Sequence, residues 1–199
     1  MTRLLFRNLN TFNFYHSIYD WFMNLFSLYK VEDIRTAFTV SGGTLVDVGG
    51  GTGYIAFHLQ DKFDTVCVTD LSKKMLVHAE KRGLFTCVTD ALELPFQNNS
   101  VDAVLCTDAL HHIKDCDRAV SEMSRILKNN GEIVIVDFHL RRVFGALFYL
   151  FEKIWVDDSV FVTPDELLST MNRYGIEGGI THLTTSLYMF KGRKKGMNN

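Results

Sequence analysis

The stretch TLVDVGGGTGYIAFHL, residues 44–59, decides the fold. A short β-branched run, TLVDV (44–48), breaks into glycines at Gly49, Gly50, Gly51 and Gly53, and apolar residues then resume at helical spacing from about Gly53 to Gln60. Glycine tolerates a left-handed backbone and allows a ligand or another backbone to come close where a Cβ would clash. At the carboxyl end of a first strand, beside a helix amino terminus, such a turn is where open α/β sheets bind their ligands. The dinucleotide pattern G-x-G-x-x-G is incomplete because Tyr54 holds the sixth position, and no Gly-Lys-Ser/Thr follows to make a P-loop. What stands here is G-x-G-x-G preceded by Asp47. A tight strand-to-helix turn without a ligand is the competing reading.

Working outward, strand-like and helix-like segments alternate. TVCVTD (65–70) reads as a second strand, and Ser72 can cap a helix that ends at Gly83. LFTCVTD (84–90) and VDAVLCTD (101–108) read as the third and fourth strands. CDRAVSEMSRILKNNG is amphipathic, with Ala119, Val120, Met123, Ile126 and Leu127 on one face and Asn130-Gly131 as its end; EIVIVDF (132–138) is the fifth strand. Thr163 caps a further helix with Pro164 in its first turn. Two weaker strand-like runs, 176–183 and 185–191, are joined closely enough to be antiparallel, and only the final GRKKGMNN reads as disordered. The alternation predicts a doubly wound, mostly parallel seven-stranded α/β sheet with an antiparallel C-terminal hairpin. The near-continuous apolar strands predict burial on both faces.

At 199 residues the chain is long enough for one domain with a sizeable core, and 47% apolar and 22% charged residues are ordinary for a globular protein. A net charge of −2 supplies no bulk attraction for nucleic acid, so no such partner is expected. Cys67, Cys87, Cys106 and Cys116 are widely spaced with no metal-ligand pattern. Buried free thiols in a reducing cytosol are the expectation. Arg3 and Arg7 precede no sustained apolar core, so no signal peptide is expected, and no run approaches the ~20 apolar residues that cross a bilayer.

Acids end three successive strands. Asp70 can accept hydrogen bonds from both ribose hydroxyls of an adenosine lying over the glycine turn, with Leu71 flanking the adenine. Asp90 suits an adenine amino group, with the Ala91 backbone N–H reading a ring nitrogen. Each acid alone is a solvated strand end or a cap; together with Asp47 and the turn they point to a nucleoside ligand.

Here VDVGGGTG, VTDLSKKMLVHAEKRG, DALELPFQNNSVDAVLCTDALHHIKD and AVSEMSRILKNNGEIVIVDF resemble, in order over about residues 44–138, the motifs of class I S-adenosylmethionine-dependent methyltransferases. The D-A-x-x-L-P-F run, and FYHSIYDWFMNLFSLYKVEDIR ahead of the glycines, are similar to the ubiquinone/menaquinone C-methyltransferase group. Gly50 stands where many members carry Cys or Ala, a departure read as harmless. KNNG replaces the usual KPGG, and TDALHHI replaces the Arg-Asn-containing sequence of the quinone enzymes. The resemblance implies a cytoplasmic enzyme that binds S-adenosyl-L-methionine through Tyr19, Asp47, Gly49, Gly50, Gly51, Gly53, Asp70, Leu71, Asp90, Ala91 and Thr107. It also implies methyl transfer to a small, apolar or aromatic acceptor.

A base matters when the acceptor must lose a proton. Asp108, His111 and His112 after the fourth strand are the expected catalytic group, with Asp137 and His139 after the fifth as further candidates. No metal is expected, because adjacent histidines point different ways and no third ligand is close in sequence. Loop packing is the competing role for both histidines. The implied layout is a helical lid at 1–40, a cofactor core at 41–138, substrate-covering helices at 139–175 and C-terminal strands at 176–192. In the lid, Phe12, Tyr15, Tyr19, Phe22 and Phe26 fall at helical spacing, and Tyr19 could reach the cofactor's methionine carboxylate. The uncharged run Val143–Phe151, inside an expected helix at 141–155, could be core, line an apolar pocket or touch a membrane surface. Competing functions are a noncatalytic cofactor-binding subunit, a protein or RNA methyltransferase, and a nicotinamide dehydrogenase. CTDA stands where the N-P-P-Y signature of amine methylation would be, and the missing sixth glycine argues against the dehydrogenase.

Overall fold

The computed structural model describes residues 30–138, 162–185 and 187–196. The aromatic helix expected ahead of residue 30, with Tyr15 and Tyr19, lies outside the described residues, as do His139 and the apolar helix expected at 141–155.

The elements run α1 (Val31–Ala37), β1 (Thr44–Val48), α2 (Tyr54–Phe57), β2 (Thr65–Asp70), α3 (Lys73–Lys81), β3 (Phe85–Val88), β4 (Val101–Thr107), a 3-10 turn (Leu110–His112), α4 (Cys116–Ile126), β5 (Leu127–Phe138), α5 (Pro164–Arg173), β6 (Ile176–His182) and β7 (Leu187–Lys194). The seven strands lie in the order β3-β2-β1-β4-β5-β7-β6. The first five are parallel, and β7 runs antiparallel to both β5 and β6. From β1 the chain builds outward to β2 and β3 on one side and to β4 and β5 on the other. The strand order therefore reverses beside β1, where open α/β sheets leave a crevice at their carboxyl edge.

Alternate residues of each central strand feed two cores. Leu45, Val134 and Val136 pack on one face with Ile34, Phe38, Ile55 and Leu76. Val46, Ile133 and Ile135 pack on the other with Val120, Met123, Leu167 and Phe190. This two-sided burial is what the near-continuous apolar runs require. Helix ends follow local chemistry. The Ser72 hydroxyl accepts from the Met75 amide at the start of α3, and Thr163 and Glu166 form a capping box around Pro164.

Several boundaries differ from expectation. The helix after the glycines is a single turn, Tyr54–Phe57, where one ending near Gln60 was expected. β3 stops at Val88, so Asp90 sits in the following turn, and β4 stops at Thr107, with Asp108 in left-handed conformation (φ 52°). α4 ends at Ile126 rather than at Asn130-Gly131. Leu127 pairs with Val101 as part of β5, and the register then jumps so that Ala103 faces Glu132. The turn signal Asn-Asn-Gly marks this bulge: Asn130 has φ 63°, and a Cβ on Gly131 would lie 2.8 Å from Leu127. Cys106 is buried, but Cys67, Cys87 and Cys116 are only half-buried, and all four thiols are free. On the outermost strand, Phe85 (66%) and Val88 (54%) are exposed.

At the amino end of β5, Glu132 gathers the chain ahead of the sheet. Its carboxylate accepts from the Thr39 amide (2.7 Å), the Val40 amide (3.1 Å), the Thr39 hydroxyl and Arg193 (2.6 Å). Burial alone would raise its pKa, but these donors hold it down at about 2.

Candidate functional site

The turn after β1 is built by the strand beside it. The Gly49 and Gly50 amides both donate to the Thr69 carbonyl, at 2.8 and 3.1 Å, and the Thr69 hydroxyl donates to the Asp47 carbonyl at 3.2 Å. The Asp47 side chain points into the space beneath the turn. A Cβ on Gly50 would stand 2.3 Å from Asp47 Oδ2 and 2.9 Å from Val68 Cγ1, so this glycine is required by the buried acid rather than being a neutral departure. Gly51 is different. Its φ of +54° excludes ordinary side chains, while a Cβ there would meet only the flexible end of Met75 (3.1 Å) and Asp70 Oδ2 (3.8 Å). Gly49 and Gly53 close on Ala109 and on Leu84 and Ala79, which fixes the turn against its neighbours.

Asp47 is 1% exposed, and neither carboxylate oxygen has a hydrogen-bond partner among the described residues. Burial first, and the neighbouring Asp70 second, push its pKa up to about 8. Asp70 closes the other side of the turn. Its Oδ2 accepts from the Gly51 amide (3.0 Å) and its Oδ1 from the Ser72 amide (2.7 Å). Burial raises its pKa, and these two amides work against that rise. Each oxygen accepts one of these bonds and keeps further lone-pair capacity for a ligand. Leu71, next in the chain, is 47% exposed at the same edge. Asp90 is exposed, with Oδ1 accepting from the Leu92 amide (2.9 Å), and Ala91 is half-buried within that turn.

A second group forms at the ends of β4 and β5. His111 and Asp137 are buried, at 1% and 3% exposure. His111 Nδ1 lies 2.6 Å from Asp137 Oδ1, and its backbone amide donates to Asp137 Oδ2 at 3.0 Å. The Phe138 amide also donates to Oδ1, at 2.7 Å. Nε2 of the same ring lies 3.9 Å from Asp108 Oδ1. Asp108 donates its backbone amide to the Val136 carbonyl (2.8 Å), which ties its strained turn to β5. His112 is half-buried; its ring centroid is 3.9 Å from that of His111, and burial followed by His111 pushes its pKa well down. Thr107 is half-buried at the end of β4.

One donor atom each from Asp108, His111 and Asp137 lies within 4.8 Å of the others, a spacing a cation could use. Asp137 accepts from the His111 and Phe138 amides and faces the imidazole, so the group also holds an acid–imidazole pair with a second acid beyond it.

The structure thus brings together Asp47, Gly49, Gly50, Gly51, Gly53, Asp70 and Leu71 at the β1–β2 edge. It brings Asp108, His111 and Asp137 together at the β4–β5 edge. His112 does not share the Asp137 contact, Asp90 and Ala91 stand apart in the turn after β3, and Tyr19 lies outside the described residues. Thr69 was not singled out from the sequence, because its role comes only from strand pairing. Neither was Arg82, which donates to the Thr52 carbonyl at 2.6 Å and lies 5.9 Å from the Tyr54 ring centroid.

Residues 46–135 match the family described as "Methyltransferase domain". The chain is 32% identical over 160 residues to a demethylmenaquinone methyltransferase of Thermotoga maritima, covering 67% of this chain and 69% of that one. It is 27% identical over 172 residues to a 2-phytyl-1,4-naphtoquinone methyltransferase of Trichormus variabilis, covering 80% and 74%. Among solved structures, a possible histamine N-methyltransferase from Thermotoga maritima superposes with a TM-score of 0.78 at 21% identity, covering 94% of this chain and 99% of that one.

Proposed function

The chain belongs to the class I S-adenosylmethionine-dependent methyltransferases, and on that premise we propose that it methylates a small aromatic acceptor of quinol type, one that sheds a proton as the methyl group arrives. The observation that carries this reading is the buried His111–Asp137 pair with half-buried Asp108 beside it, set at the ends of β4 and β5, one and two strands along from the glycine turn. The quinone-type names of the relatives at 32% and 27% identity support the acceptor class.

The residues present fit the cofactor. Asp47, a buried acid with no hydrogen-bond partner among the described residues, answers a cationic ligand, and Gly51 and Asp70 offer a close approach and spare acceptor capacity. S-adenosylmethionine supplies, when bound, a methyl group already activated for displacement. The chain's part is to bind, orient and take up a proton. Asp70 holds the ribose and at the same time braces the Gly51 amide. Asp90 and the Ala91 amide read the adenine, with Leu71 against the ring. His111, with Asp108 Oδ1 3.9 Å from its Nε2, removes the acceptor's proton, and such base catalysis is worth about a hundredfold to ten-thousandfold in rate.

Transfer of a tritiated methyl group from S-adenosylmethionine to reduced demethylmenaquinone, with histamine as the competing acceptor, tests the reading. Label in the quinol and not in histamine is expected. Label only in histamine, or binding of the cofactor with no turnover on any acceptor, would overturn the acceptor class.

A further inference from the structure

Asp137, a further candidate for the base from the sequence, makes the shortest contact to the His111 imidazole, at 2.6 Å. Three donors converge on its carboxylate: the His111 amide on Oδ2, and the Phe138 amide and the His111 ring on Oδ1. Two of the three are amides that can only donate, so a proton shared with Asp137 can lie only in the 2.6 Å contact with the ring. An imidazole is ordinarily the stronger base of the two, which places that proton on His111 Nδ1 and makes Asp137 the acceptor. In the neutral ring Nε2 is then the unprotonated nitrogen, on the side of Asp108 Oδ1 at 3.9 Å.

We infer that Asp137 is a positioning residue that pins His111 as the Nδ1–H tautomer, so that Nε2, beside Asp108, is the atom that receives the proton leaving the methyl acceptor. The acceptor's bond to hydrogen breaks and its electron pair stays with the acceptor, which forms the new bond to the methyl carbon. The proton goes to Nε2, and the cofactor's sulfonium leaves as a neutral thioether. The imidazolium so formed is held against the Asp137 charge. The inference rests on the proposed reading of an acceptor that must lose a proton.

Among the described residues, Asp108 and His112 face the ring from its own turn and Asp137 from β5, while Phe138 presents a ring edge at 6.2 Å. Behind Asp137, its charge pushes up the thiols of Cys106 on β4 and Cys116 at the start of α4, and the phenol of Tyr188 on β7, in each case after burial. All three remain neutral in the working range, so among the described residues Asp108 and Asp137 are the acids nearest His111.

Imidazole nitrogen NMR of the full chain loaded with S-adenosylhomocysteine, with His111 assigned by His111→Gln, tests this directly. The wild type should carry its ring proton on Nδ1, and Asp137→Asn should shift the proton toward Nε2 or mix the tautomers. With reduced demethylmenaquinone, Asp137→Asn should lower kcat roughly ten- to a hundredfold, part of the range general-base catalysis spans. KM and S-adenosylhomocysteine affinity should stay within about twofold, because neither ligand touches Asp137. The acid limb of the pH–rate profile should move to lower pH, since the removed carboxylate no longer favours the imidazolium.

A wild-type ring protonated on Nε2 would overturn the inference without any variant. Inactive His111→Gln beside a fully active Asp137→Asn would overturn the positioning role while leaving the base in place. Full activity of His111→Gln would instead remove the base, and the proposed acceptor chemistry with it.

Discussion

Asp47→Asn should stabilise the ligand-free protein at neutral pH while weakening its hold on the cofactor. The wild-type carboxyl is buried, has no hydrogen-bond partner among the described residues, and is pushed up to about 8 from an ordinary 3.8. Between those values the folded chain holds a proton that the unfolded chain has released. Stability must therefore fall as pH rises through the window, by about 1.4 kcal/mol per pH unit. By about pH 7 the accumulated cost is about 4 kcal/mol. Asparagine is neutral in both states and has the same lack of partners as the neutral carboxyl, so it escapes only the protonation cost. Urea denaturation followed by circular dichroism should show the two proteins equally stable near about pH 4, with the variant ahead by about 2–4 kcal/mol near about pH 7. Calorimetry should show S-adenosylmethionine binding the wild type more tightly as pH rises through the same window, and the variant binding weakly at every pH. Parallel stability curves would refute the argument, because they would mean that Asp47 is ionised and compensated in the folded protein.

Gly50→Ala puts a methyl group 2.3 Å from Asp47 Oδ2 and should lower the melting temperature, whereas adding it to Asp47→Ala should cost much less. A double-mutant cycle with no coupling would mean the two residues do not share that space. Asp70→Ala should weaken S-adenosylhomocysteine about ten- to a hundredfold and also lower the apo melting temperature, since the Gly51 and Ser72 amides lose their acceptor; unchanged affinity by calorimetry in a folded variant would remove Asp70 from the site. Glu132→Gln should destabilise the protein by about 2 kcal/mol at neutral pH. The Glu132 carboxylate is held down at about 2, so its contribution is full above its ordinary value of 4.5 and disappears as pH falls through about 2. Acid titration of both proteins should accordingly bring their stabilities together across that range.

The glycine turn, the acids at the ends of β1 and β2, and the caps at Ser72 and Thr163 were legible because each depends on neighbours in the chain. The doubly wound, mostly parallel sheet followed from the alternation of strands with helices. What sequence could not resolve were contacts made across the sheet. Leu127 has the spacing of a helix residue and becomes strand because Val101 lies across from it. Gly50 reads as neutral until the Asp47 side chain is seen folded beneath it. His111 and His112 are equivalent on paper, and only the pairing of β4 with β5 brings Asp137 to one of them.

The place of β7 in the sheet has a consequence for how the protein is made. β6 joins the sheet only through β7, and β7 alone covers the outer edge of β5. During synthesis, then, the first five strands can assemble while Ile133, Val134, Ile135 and Val136 form an unpaired apolar rim. Among the described residues, the strand that pairs with that rim is completed only when residues 187–194 have left the ribosome. A nascent chain paused before Leu187 is a natural client for a chaperone, and a transcript cut short there would yield a product marked for degradation, although its glycine turn and Asp70 would already have been made.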